Sequence, residues 1–115
     1  MLRVCYQNIR GLNSKILDLY LNSFSFDFDV IVFTETWLRA HISDSELFCN
    51  DFVIFRCDHR ERIGGGVLIA TKTRLNAELV HFDIPANIEF LCIKLNFNAK
   101  LIFFYGLLHT SFQSI

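Results

Sequence analysis

Asp29-Val30-Ile31-Val32-Phe33-Thr34-Glu35 is the stretch on which the fold turns. Four successive apolar residues, three of them β-branched, leave no polar alternate position, so residues 29–34 read as a strand covered on both faces. Upstream, Leu2-Arg3-Val4-Cys5-Tyr6-Gln7-Asn8 is rich in strand formers and is stopped by Arg10-Gly11. Between the two strands, Asn13 or Ser14 is placed to cap a helix, with Ile16, Leu17, Tyr20, Leu21 and Phe24 on one apolar face. Two consecutive strands joined by one helix lie parallel. Their carboxyl ends then share an edge, which puts Asn8 and Glu35 side by side.

Downstream, Ser43-Asp44-Ser45-Glu46 has capping-box spacing and predicts one short helical turn. Residues 52–56, 66–70, 78–82, 89–96 and 101–105 read as five further strands. Turn signals separate them at Gly64-Gly65-Gly66, at residues 72–76 and 83–87, and at Asn96-Phe97-Asn98, with residues 96–100 a hairpin candidate. The expected fold class is α/β, a mixed and largely antiparallel sheet with a flanking helix. One helix covers one face of such a sheet, so part of the cover for the other face is expected to be missing from this sequence.

The chain has 115 residues, enough for one domain, with 52% apolar residues, 20% charged, thirteen phenylalanines and a single proline. This composition excludes a disordered or collagen-like chain. No apolar run approaches the ~18–20 residues of a membrane span, so no membrane partner is expected, and no apolar h-region of a signal peptide follows Met1. The four cysteines, Cys5, Cys49, Cys57 and Cys92, form no C-x-x-C, so no zinc site is expected; a reduced, intracellular setting suits them. Net charge is −1. Within residues 56–74, however, Arg56, Arg60, Arg62, Lys72 and Arg74 face only Asp58 and Glu61. That local excess reads either as a phosphate-facing rim or as a solvated loop.

An amide and a carboxylate at one sheet edge suit a phosphate oxygen and a hard cation, since Mg²⁺ takes one or two protein carboxylates and completes its shell with water and phosphate. The alternative is that Asn8 opens a turn and Glu35 is solvated. The triple glycine is neither a dinucleotide fingerprint nor a Walker loop; it reads as a sharp turn into the strand at Val67 or as a backbone approach to phosphate. Trp37 stacks on a base or packs beneath its loop. His41, His59, His81 and His109 carry no motif, and a generic histidine is the simpler reading of each.

Tyr6-Gln7-Asn8-Ile9-Arg10-Gly11-Leu12, Phe33-Thr34-Glu35-Thr36-Trp37-Leu38 and Arg62-Ile63-Gly64-Gly65-Gly66-Val67, in this order and spacing, resemble the endonuclease/exonuclease/phosphatase family. The likeness is greatest to the N-terminal endonuclease domains of non-LTR (LINE-type) retrotransposons, and it runs from Leu2 to about Tyr105. It implies a DNase I-like two-sheet α/β sandwich of which residues 1–115 are a partial domain, truncated at its C-terminus. It further implies that Asn8 is the active-site asparagine, that Glu35 with Asn8 binds Mg²⁺ (or Mn²⁺), and that Tyr105, at the end of its strand, contacts the scissile phosphate. After Tyr105 this chain reads Gly106-Leu107-Leu108-His109 where the family has a proline-containing segment. The family's Asp-x-Asn, a further aspartate and Ser-Asp-His are absent. The resemblance thus implies half of an active site: a fragment of a Mg²⁺-dependent phosphodiesterase that nicks DNA in the nucleus, inactive as this chain. Its expected partners are DNA and the missing C-terminal half, or else a second copy by self-association. A non-catalytic remnant or partner-binding domain, and a lipid or inositol phosphatase-type phosphoesterase, are the alternatives.

Overall fold

The computed structural model describes residues 1–59 and 64–109. Its elements are β1 (Val4–Asn8), α1 (Ile16–Ser23), β2 (Val30–Thr34), a 3₁₀ turn (Asp44–Glu46), β3 (Phe52–Cys57), β4 (Val67–Lys72), a second 3₁₀ turn (Thr73–Leu75), β5 (Glu78–Leu79), β6 (Ile88–Phe97) and β7 (Lys100–His109). The fold is mixed α/β, mostly strand. β1 and β2 are parallel, with Asn8 opposite Thr34. The other pairings are antiparallel, and the strands form two sheets, β1-β2-β4-β3 and β5-β6-β7.

Two sheets, rather than the single mixed sheet expected, resolve the covering problem. After β4 the chain turns through Thr73–Leu75, ends that turn at Asn76 in a left-handed conformation (φ 51°), and lays β6 and β7 over the first sheet. Sequence periodicity marks strands but does not say which of them share a sheet. β2 is consequently buried along its whole length, its side chains alternating between two cores. Ile31 and Phe33 pack with Leu19, Leu38, Leu47, Phe48 and Phe52 beneath the helix layer. Val30 and Val32 pack with Val67, Ile69, Leu91, Ile93 and Leu95 between the sheets. Gly106 of β7 belongs to this close approach, because a Cβ there would lie 2.7 Å from Val67 Cγ1 and 3.2 Å from Val32 Cγ1.

The second sheet does not reach across the whole first sheet. β7 lies over β2 and β4, and β6 over β3 and β4. Val4 and Tyr6 of β1 share the face of Val30 and Val32 but remain 46% and 63% exposed. Among the described residues β7 pairs only with β6. Its outer face presents Leu101, Phe103, Tyr105 and Leu107 to solvent.

The helix differs in detail from its sequence reading. Ile16, Leu19, Tyr20 and Ser23 turn inward, whereas Leu17, Leu21 and Phe24 are exposed. Ser23 decides this orientation: its hydroxyl accepts from Cys49 N (2.8 Å) and donates to Tyr20 O (2.6 Å), so a polar residue holds a core position. Lys15 precedes the helix and no side chain caps it; the Asn13 amide instead donates to Trp37 O (3.3 Å). The hairpin at residues 96–100 forms as expected, with Asn98 and Ala99 both at positive φ in the two-residue turn.

Candidate active site

At the carboxyl edge of the parallel pair, hydrogen bonding continues past both strands. Ile9 N donates to Thr34 O (2.9 Å), Gly11 N to Glu35 O (2.8 Å) and Leu12 N to Thr36 O (2.9 Å). This extended ladder brings the two side chains together, and Asn8 Nδ2 donates to Glu35 Oε2 at 2.9 Å. Asn8 is exposed and Glu35 half-buried. With one amide hydrogen committed, Asn8 Oδ1 and Glu35 Oε1 are the remaining hard oxygens of the pair. Arg10, Glu35 and Trp37 all have φ between 50° and 59°, an uncommon conformation for residues with a Cβ. Such conformations persist where surrounding bonds over-determine them, and they cluster at functional sites.

The bonds that hold Glu35 come from two sides. β1 and its continuation provide one. The glycine loop provides the other: Thr36 N donates to Gly66 O (3.3 Å) and Trp37 N to Gly65 O (2.9 Å). Gly66 has φ 98°, and a Cβ on it would overlap the Thr36 hydroxyl, so only glycine fits there. The loop therefore serves as the sharp turn into β4. Trp37 packs its ring over Gly11, where an added Cβ would lie 2.6 Å from Cε3, and its buried Nε1 has no hydrogen-bond partner among the described residues. Its indole thus packs into the rim, as one of its two sequence readings had it.

Sequence reasoning did not single out the pair beside this loop. Glu89, 7% exposed, accepts from Gly66 N (2.7 Å) through Oε1 and meets His59 Nδ1 through Oε2. Its one sequence signal is a charged residue heading the apolar run Phe90-Leu91-Cys92-Ile93.

Tyr105 lies apart from this edge. β7 runs on to His109, so Tyr105 is a mid-strand residue opposite Cys92 and not a strand terminus. Gly106 faces the first sheet and Tyr105 faces away from it, 66% exposed, its ring centroid 5.9 Å from that of Phe90. The structure thus brings Asn8 and Glu35 together and does not bring Tyr105 to them.

Arg56, Lys72 and Arg74 have structural partners. Arg56 chelates Asp58, reaches Asp44 (3.1 Å) and donates to the carbonyls of Ile42 and Arg39 (3.0 Å). Burial opposes its charge, but these carboxylates outweigh burial and raise its pKa above the ordinary value. Lys72 donates to Phe26 O and sits over the Phe52 ring, and Arg74 pairs with Asp29 at the opposite end of β2 from Glu35. Arg60 and Arg62 lie outside the described residues, as does the His109 side chain.

Among the described residues no group of three or more His, Cys, Asp or Glu side chains is placed to hold a metal. The donor set at the edge is one carboxylate and one amide oxygen, which fits Mg²⁺ with a shell otherwise filled by water and phosphate. Comparison with models of protein families found no match, and neither did comparison with curated proteins.

Proposed function

We propose that this chain is the N-terminal part of a Mg²⁺-dependent phosphodiesterase domain of the endonuclease/exonuclease/phosphatase type, closest to the DNA-nicking endonucleases of LINE-type retrotransposons. The observation that supports it is the Asn8–Glu35 hydrogen bond at the carboxyl edge of two parallel strands, on a strained backbone. There Glu35 and Asn8 would hold Mg²⁺, which supplies charge neutralisation at a phosphate. The described residues offer no second carboxylate at the edge, and hydrolysis also needs a base to activate water. The expected behaviour of the chain by itself is therefore weak metal binding and no nicking of DNA. The two-sheet α/β arrangement agrees with a DNase I-like sandwich in layers, and the uncovered β1 beside the open β7 edge is where a further strand would continue the second sheet.

Titration calorimetry tests the metal assignment. Weak binding in the millimolar range, lost in Glu35→Gln, is the expected result; tight binding that survives this substitution would overturn it. With Mg²⁺ or Mn²⁺ the purified chain should leave supercoiled DNA un-nicked. Cleavage that disappears in Asn8→Ala would show that the chain suffices for catalysis.

A further inference from the structure

Glu89 sits two hydrogen bonds away from the strained turn that carries Glu35. Its carboxylate accepts Gly66 N (2.7 Å); the Gly66 carbonyl then accepts Thr36 N (3.3 Å), and the neighbouring Gly65 carbonyl accepts Trp37 N (2.9 Å). Thr36 and Trp37 directly follow Glu35, and Trp37 shares its positive φ. On its far side the carboxylate is held by His59 Nδ1, whose side chain is 17% exposed, and Arg39 Nη1 donates to the His59 carbonyl (3.3 Å). The loop has no slack at this point, since a Cβ on Gly65 would lie 2.7 Å from Glu89 Oε1 and 3.0 Å from the His59 ring. A buried carboxylate costs free energy unless it is fully bonded, and here both oxygens are used on the loop and its clamp.

We infer that Glu89 is a positioning residue for the Asn8–Glu35 pair, with the glycine loop transmitting its hold to the Glu35 turn. This rests on the metal-edge reading above and adds the element that fixes the edge's geometry. What matters is an acceptor at the reach of a glutamate side chain. Glu89→Asp withdraws that acceptor by one methylene. Glu89→Gln keeps an oxygen for Gly66 N, and its amide can donate to a neutral His59 Nδ1.

Hydrogen exchange of the full chain, read by mass spectrometry, tests this independently of metal. Glu89→Asp should speed exchange at Thr36 and Trp37 by about tenfold or more, as expected for losing a bond to an ionised group. Residues 68–71 and 91–95 should stay as protected as in the parent chain, and Glu89→Gln should restore slow exchange at Thr36 and Trp37. Unchanged exchange at these two residues in Glu89→Asp, or faster exchange spread evenly over both sheets, would overturn the inference. If the shortened variant fails to fold, Glu89→Gln decides: fast exchange at Thr36 and Trp37 refutes the role and slow exchange supports it. The second readout is Mn²⁺ binding, about tenfold weaker in Glu89→Asp than in Glu89→Gln. If the parent chain binds no Mn²⁺, the metal reading falls, and exchange at Thr36 and Trp37 still decides the role of Glu89.

Discussion

Glu35 keeps φ at 54° because both neighbours of its peptide are tied, Thr34 O and Glu35 O to β1's continuation and Thr36 N to the glycine loop. Releasing one tie should relax the turn. Gly66→Ala puts a methyl into the Thr36 hydroxyl at φ 98°, so it should cost about 2–3 kcal/mol, read as a lower urea midpoint. A cost below ~0.5 kcal/mol would mean that the loop has room the structure denies it. At this scale the sequence was informative for Asn8 and Glu35, because Asn8 ends β1 and Glu35 directly follows β2, and the carboxyl ends of two parallel strands share an edge. It was uninformative for Glu89, because nothing local ties residue 89 to Gly66 across the intervening chain. Tyr105 was read as the end of a strand over residues 101–105; β7 instead runs on to His109, with Gly106 where it passes close to Val32 of β2 and Val67 of β4.

Among the elements, β2 has the proposed cation pair at one end and its anchor at the other. Asp29, buried just before β2, accepts Arg3 N (2.9 Å) and pairs with Arg74, while Lys72 N donates to its carbonyl (2.9 Å). Burial pushes the Asp29 carboxyl up, but the Arg3 amide and Arg74 guanidinium outweigh burial and hold it below its ordinary value of 3.8. A carboxyl lowered in the folded chain contributes stability above its unfolded pKa, and that contribution fades as pH falls through the folded value. Urea midpoints should therefore drop as pH falls from about 5 through and below the ordinary carboxyl range, and drop less in Asp29→Asn. An equal drop in both chains would remove Asp29 from the acid transition. The helix teaches a related lesson. Its apolar periodicity fitted Leu17, Leu21 and Phe24, yet Ser23 took the core position, because a hydrogen bond to Cys49 N outweighs apolar pattern over so short a helix. Ser23→Val should cost about 1–3 kcal/mol by orphaning the buried Cys49 N–H, and a neutral result would show that water reaches this amide.

Across the whole molecule, the alternating burial of β2 was legible in four residues, and the sheet that supplies its second cover was not, since strand order depends on the Thr73–Leu75 crossing and not on periodicity. The second sheet covers β2, β4 and β3 but leaves Val4 and Tyr6 bare and the outer side of β7 apolar. An unpaired apolar edge strand is a template for association. The chain should bind ANS and self-associate on sedimentation, and Phe103→Lys with Leu107→Lys should reduce both; a monodisperse parent chain without dye binding would contradict this. The central claim, that Asn8 and Glu35 form a cation site on this edge, is tested most directly by loading the chain with Fe²⁺ in place of Mg²⁺ and mapping peroxide-driven backbone cleavage. Cuts confined to residues 8–11 and 34–37, and absent in Glu35→Gln, are the predicted result. Cleavage elsewhere, or cleavage at this edge that persists in Glu35→Gln, would contradict it.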